Sequence, residues 1–352
     1  MTADRIRVAT RKGLFTLTHT RGAWRIGAPA FLGDPVSMML DDPRDGALYA
    51  ALNLGHFGVK LRRSRDDGKS WEELAGPAFP PQPEGAEGSP WKLVQIWSLE
   101  AGTGTEPGVL WAGTIPGGLF RSDDHGDSWR LVRSLWDRPE RLQWLGGGYD
   151  HPGIHSIVVD PRDGRRVTVG ISCGGVWYTD DAGDNWRNVA QGMRAGYMPP
   201  DQQGNENVQD PHRVVASRAG PDILWTQHHS GIFRRGADAA RWIELDTAPL
   251  SGFGFAVAVH PADPDTAWFV PAESDAKRVP VDARWVVNRT RDGGRSFETF
   301  SAGLPQDACY DLVYRHGLDI DARGRWLAMG STSGSLWVSG DQGESWDCAA
   351  AH

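Results

Sequence analysis

"WTQHHSGIF" (225–233) sets His228 and His229 side by side, ahead of a glycine and a short apolar run. Three other stretches open on a histidine and continue as a short strand: "HSIVVDP" (155–161), "HRVVASR" (212–218) and "HGLDIDA" (316–322). His155, His212 and His316 therefore share one place in a recurring unit. Converging imidazoles suit Zn, Mn, Fe, Ni or Cu, and an added carboxylate shifts the preference toward Mn or Fe. On this reading His155, His212 and His229 are metal ligands. His316 or Glu273 is a fourth ligand or a base, and His228 is a further acid–base candidate. A divalent transition metal with an open position activates water or polarises a carbonyl. Without a metal, one histidine serves as a general base near neutral pH. No organic cofactor is indicated.

The elements that would position these groups come from a repeat. "SRDDGKSW" (64–71), "SDDHGDSW" (122–129), "TDDAGDNW" (179–186), "TRDGGRSF" (290–297) and "SGDQGESW" (339–346) share the pattern Ser/Thr-x-Asp-x-Gly-x-x-Trp/Phe. Asp accepts backbone N–H bonds inside a tight turn, Gly takes a positive φ, and the aromatic plugs the turn onto a sheet. "GLFTLTHTRGAW" (13–24) and "GIFRRGADAARW" (231–242) keep only the frame. The closing aromatics Trp24, Trp71, Trp129, Trp186, Trp242, Phe297 and Trp346 mark seven units. Each reads as short strands, as in "HSIVVD", "RVTVGIS", "VWYT" and "WRNVA" of the fourth. Four antiparallel strands repeated seven times predict an all-β, seven-bladed β-propeller occupying 1–352 as a single domain. The first unit begins at "RIRVAT" (5–10) and lacks an obvious inner strand. Either its blade has three strands or part of the chain is missing.

The Asp turns resemble the Asp-box, or BNR, repeats of sialidases, sortilin ectodomains, xyloglucanases and photosystem II assembly factors. "TRKG", "GHFG" and "LFRSDD" are similar to segments of bacterial cytosolic BNR-repeat proteins labelled sialidase-like. The resemblance covers essentially the whole chain and implies the propeller fold. It leaves activity open, because that fold carries unrelated functions.

Propeller geometry places the Asp turns between third and fourth strands on one face. The second-to-third turns and the blade-to-blade crossings lie on the other. That second face takes Arg11, Lys12, His56 and Arg278 from turns. It takes Arg138, Tyr149, His151, Arg194 and Tyr197 from two long crossings, and long connections raise the odds of function. These nine are the substrate-binding candidates: cations for a substrate carboxylate, rings for stacking. Trp136 and Trp144 would wall the same pocket. The aligned histidines fall at the start of the innermost strand, beside an axial channel, with Phe255 in their place in the sixth unit.

Net charge is −8, so nucleic acid is not the expected partner. No apolar stretch is long enough to span a membrane, and no signal segment is evident. The three cysteines have no zinc or disulfide spacing. The expected location is cytoplasmic and the expected partner a small-molecule substrate, with a protein partner left open. The primary reading is a metal-dependent hydrolase or lyase acting on a sugar-like or carboxylated molecule. A second is a metal-free glycoside hydrolase of sialidase-like type, although "TIPGG" (114–118) has Thr where sialidases carry Arg. A third is a non-enzymatic binding platform.

Overall fold

A computed structural model of the chain describes residues 4–351. The strands form seven antiparallel sheets in chain order, the blades of a β-propeller. Six have four strands, and the first, Arg5–Thr10, Gly13–Thr20 and Ala23–Ile26, has three. Trp24 lies on the last of these, where the other blades have their outermost strand. The strand missing from the first blade is therefore the innermost one, as its sequence implies.

The Asp turns act as local clamps, and the fourth blade shows how. Thr179 donates its hydroxyl to Asp181 Oδ1 at 2.7 Å and accepts Gly183 N at 3.1 Å. Asp181 also accepts Asn185 N at 2.9 Å and Asn185 Nδ2 at 2.8 Å. Gly183 sits at φ +94°, in the left-handed region that side chains resist. Trp186 then folds back, its indole donating to Gly183 O at 3.1 Å, and joins the blade's apolar core. Ser70, Ser128, Ser296 and Ser345 repeat the Asn185 contact to their own aspartates. The residue before the aromatic is thus part of the motif.

A second regularity matters for the site. The inner strands of blades two to six each carry a bulge near their start. The skipped residues are Ser37, Trp97, His155 and His212, with Phe255 and Ala256 in blade six. A bulge leaves its extra residue out of the ladder and re-aims the side chain. The expected equivalence of His155, His212 and Phe255 is real. His316 lies two residues ahead of the seventh inner strand, Leu318–Ile320, and Gly317 beside it accepts Gly330 N at 2.7 Å.

The chain divides into two compact units, residues 1–188 with four blades and 189–352 with three. Each has its own apolar cores. Trp111, Trp177 and Trp186 lie in one cluster of the first unit, and Trp268, Trp285 and Trp346 in one of the second.

Candidate functional site

The fifth blade begins with Pro211–Ser217, whose partner strand is Gly220–His228. Pro211 pairs with His228, and the bulge that follows frees His212 from the ladder. Asp210, one residue before the strand, is held by its backbone from both sides. Its N–H donates to His228 Nε2 at 3.1 Å, and its carbonyl accepts His229 N at 3.0 Å. Ser230 N donates to His228 Nδ1 at 3.0 Å. Both ring nitrogens of His228 thus face backbone N–H groups, a setting hostile to an imidazolium. Burial pushes its pKa down to about 3. His228 is fully enclosed. It clamps the turn, and the acid–base role expected of it is corrected to a structural one.

That clamp brings Asp210, His212 and His229 together, with their ligand atoms all within 4.8 Å of one another. Asp210 Oδ2 lies 3.3 Å from His212 Nε2 and 3.5 Å from His229 Nδ1. Asp210 and His212 are buried, while the His229 side chain is 22% exposed. Burial alone would raise the pKa of Asp210, but His212, His229 and the Arg315 charge together hold it well below the usual carboxylate range. Burial lowers that of His212, against the opposing pull of Asp210. The outcome is an ionised carboxylate at the centre of the group. His212 Nδ1 is 2.6 Å from the carbonyl oxygen of Gly254, so Nδ1 carries the proton. Its Nε2 faces the Asp210 carboxylate.

Aromatic rings wall the group. Phe255 stacks on His212 at 4.4 Å, and Phe253 meets both His212 and His229 edge-on. The Tyr197 ring lies 4.8 Å from His229, and its hydroxyl donates to the carbonyl of Val208. Of the expected residues, the structure therefore unites His212, His229 and Tyr197. Asp210 supplies the carboxylate in place of Glu273, which is exposed and paired with Lys277 at 2.7 Å. His155 belongs to the first unit, where its Nδ1 is 2.9 Å from Ser156 Oγ and its ring meets Trp97. His155 and His316 are not members of the three-residue group.

The other candidates are dispersed. Arg194 pairs with Glu244 and Arg138 with Glu140, while Arg278 pairs with Asp275 and is the exception, its guanidinium 5.5 Å over the Phe255 ring that stacks on His212. Lys12 is exposed, His151 is half-buried, and the His56 ring packs on Phe57. Trp136 and Trp144 are buried, so the pocket-wall role expected of them gives way to packing. Arg11 and Tyr149 do line a common cavity, in the first unit.

With this geometry in hand, known proteins can be compared. No protein-family profile matches the chain. Against solved structures, 99% of it superposes on 52% of the GH74 xyloglucanase from Xanthomonas campestris, with TM-score 0.68 and 20% identity. It likewise matches Ycf48 bound to D1 peptide over 99% of this chain and 84% of that one, with TM-score 0.55 and 14% identity. Its fold is that of the xyloglucanase and Ycf48 propellers. In sequence it is 25% identical over 223 residues to a probable oligoxyloglucan-reducing end-specific xyloglucanase of Neosartorya fischeri, covering 56% of this chain and 26% of that protein. An Emericella nidulans oligoxyloglucan-reducing end-specific xyloglucanase is 35% identical over 81 residues, 23% of this chain and 9% of that protein. The chain thus spans about a quarter or less of the length of these curated relatives.

Proposed function

We propose that this chain is a hydrolase of glycosidic bonds, with its reaction centre at Asp210, His212 and His229. The observation that carries the reading is a partly exposed imidazole backed by a wholly buried, ionised carboxylate. In that arrangement His229 Nδ1–H points to Asp210 and its Nε2 is the base. Water adds its oxygen to the anomeric carbon and gives its proton to Nε2 as the glycosidic C–O bond breaks, and the leaving oxygen takes a proton from solvent. Asp210 fixes the tautomer and stabilises the imidazolium. Similarity to xyloglucanases supports carbohydrate as the substrate class. The test is release of reducing ends from xyloglucan and related β-glucans by the wild-type chain and by His229→Ala. Activity lost in the variant sustains the reading. No turnover of any glycan, or turnover that His229→Ala leaves intact, overturns it.

One observation favours a second reading, in which the same residues hold a divalent cation. His212 Nδ1 bonds Gly254 and its Nε2 lies 3.3 Å from a carboxylate oxygen, so a ring protonated at Nδ1 alone would offer Nε2 and Oδ2 to a cation between them. Ligand atoms at about 2.1 Å around a tetrahedral ion lie about 3.4 Å apart. The 3.3 and 3.5 Å separations meet that requirement. Asp210 Oδ2, His212 Nε2 and a ring nitrogen of His229 would be the ligands, and the ion would supply an activated water. Plasma mass spectrometry on untagged protein, beside Asp210→Ala, decides this. Near-stoichiometric metal lost in the variant supports it, and no metal after incubation with Mn, Zn or Fe removes it.

A further inference from the structure

The first unit contains a cavity of about 770 Å³ that the Asp210 group does not touch. Its size falls in the range of small-molecule sites, about 300–1,000 Å³. Gln95 is the anchor of its wall. Only 8% of this residue is exposed. Its Oε1 accepts Asn53 Nδ2 at 3.3 Å and the Tyr149 hydroxyl at 3.4 Å. That fixes the amide plane and leaves Nε2 without a partner among the described residues. A donor fixed in this way can bond a ligand in place of water.

Two rings and two charges complete the lining. Tyr149 is 44% and Phe57 71% exposed. Each ring is steadied from behind, Tyr149 by Trp97 at 5.3 Å and Phe57 by His56 at 3.8 Å. Arg11 and Asp34 also line the cavity, and neither side chain has a hydrogen bond or ion pair among the described residues. The formal charge of the lining therefore sums to zero. A carboxylated ligand would gain at Arg11 what it loses at Asp34. A molecule that offers hydroxyls to donors and acceptors alike, with C–H faces for the rings, meets every feature.

We propose that the cavity bounded by Gln95, Tyr149, Phe57 and Arg11 binds a neutral pyranose residue of an oligosaccharide. The proposal takes its substrate class into the other unit from the reading above, yet it requires no turnover. The test is calorimetric titration of His229→Ala, in which hydrolysis does not interfere, with cellotetraose, xylotetraose and mannotetraose. Tetragalacturonate is the charged counterpart. The first round compares this chain with the additional variants Tyr149→Ala and Gln95→Met. Tyr149 and Phe57 are exposed, so Tyr149→Ala and Phe57→Ala keep the fold even where Gln95→Met does not. Thermal melting checks each.

The expected result is saturable binding of at least one neutral tetrasaccharide, with Kd raised about tenfold or more in Tyr149→Ala and in folded Gln95→Met. Absence of saturable heat from every neutral tetrasaccharide up to about 10 mM overturns the proposal, as does binding that both variants leave unchanged. Tighter binding of tetragalacturonate overturns the neutral-ligand assignment. Binding without any hydrolysis by the wild-type chain would sustain this site and sink the catalytic reading alone.

Discussion

Asp210 and the two histidines it faces do different work, and substitution separates them. Asp210 is enclosed and sits among His212, His229 and the Arg315 charge. Asp210→Ala removes the counter-charge from a buried set, a change that costs about 3–5 kcal/mol. Urea unfolding should show the loss as a lower midpoint with an unchanged slope. His229 is partly exposed but packs against Tyr197 and Phe253. His229→Ala should lower the midpoint less than Asp210→Ala does, while lowering glycan hydrolysis about 10²–10⁴-fold. His228 is the converse. Its buried ring lies between the backbone N–H groups of Asp210 and Ser230 and accepts from one of them, so His228→Ala should lower stability and activity together. An adjacent pair of histidines in the sequence thus resolves into one clamp and one candidate base. Their types do not reveal this. The register that pairs Pro211 with His228 does, by turning His228 inward and leaving His229 in the turn.

At the scale of elements, the Asp turns make stability sensitive to acid. Hydrogen bonds from Ser70, Asn185 and Ser296 are the largest cause holding Asp66, Asp181 and Asp292 at pKa values of about 2, below the ordinary 3.8. A carboxyl depressed in the folded state contributes stability that is complete above its unfolded pKa and disappears as pH falls through its folded one. These turns should therefore keep their contribution down to about pH 4 and lose it between there and about pH 2. Circular dichroism melts across that window check it, and Asp181→Ala should flatten the dependence. Trp186→Ala strikes the same turn from its apolar side and should cost about 3–5 kcal/mol. These turns were legible in the sequence, all but the residue before the aromatic, because each is local, with its donors and acceptors within a few residues. The bulges were not, since a bulge is a mismatch between two strands. Asp210 was missed for a related reason. In "VQDPHR" an acid before proline reads as a turn residue, and only pairing across the blade sets it against His212 and His229. The aligned histidines were visible, but alignment reports equivalent places in different blades, not shared space.

Across the whole molecule, the proposed reaction centre and the proposed sugar site fall in separate units. The Asp210 group and its aromatic wall lie within residues 189–352, and the cavity of Gln95 and Tyr149 lies within 1–188. No residue contributes to both, and the apolar cluster around Phe255 beside His212 contains no residue of the first unit. Sites without shared partners combine additively, within about 0.3–0.5 kcal/mol. Tyr149→Ala should therefore raise Kd for a neutral tetrasaccharide while leaving kcat and KM for a short aryl glycoside unchanged. His229→Ala should lower kcat on that glycoside and leave the tetrasaccharide Kd unchanged. The double variant should show both losses at their single-variant size. A loss of kcat on the aryl glycoside in Tyr149→Ala would mean that both side chains act on one step. Tyr149 would then belong to the reaction centre, and the division of labour between the two groups would have to be abandoned.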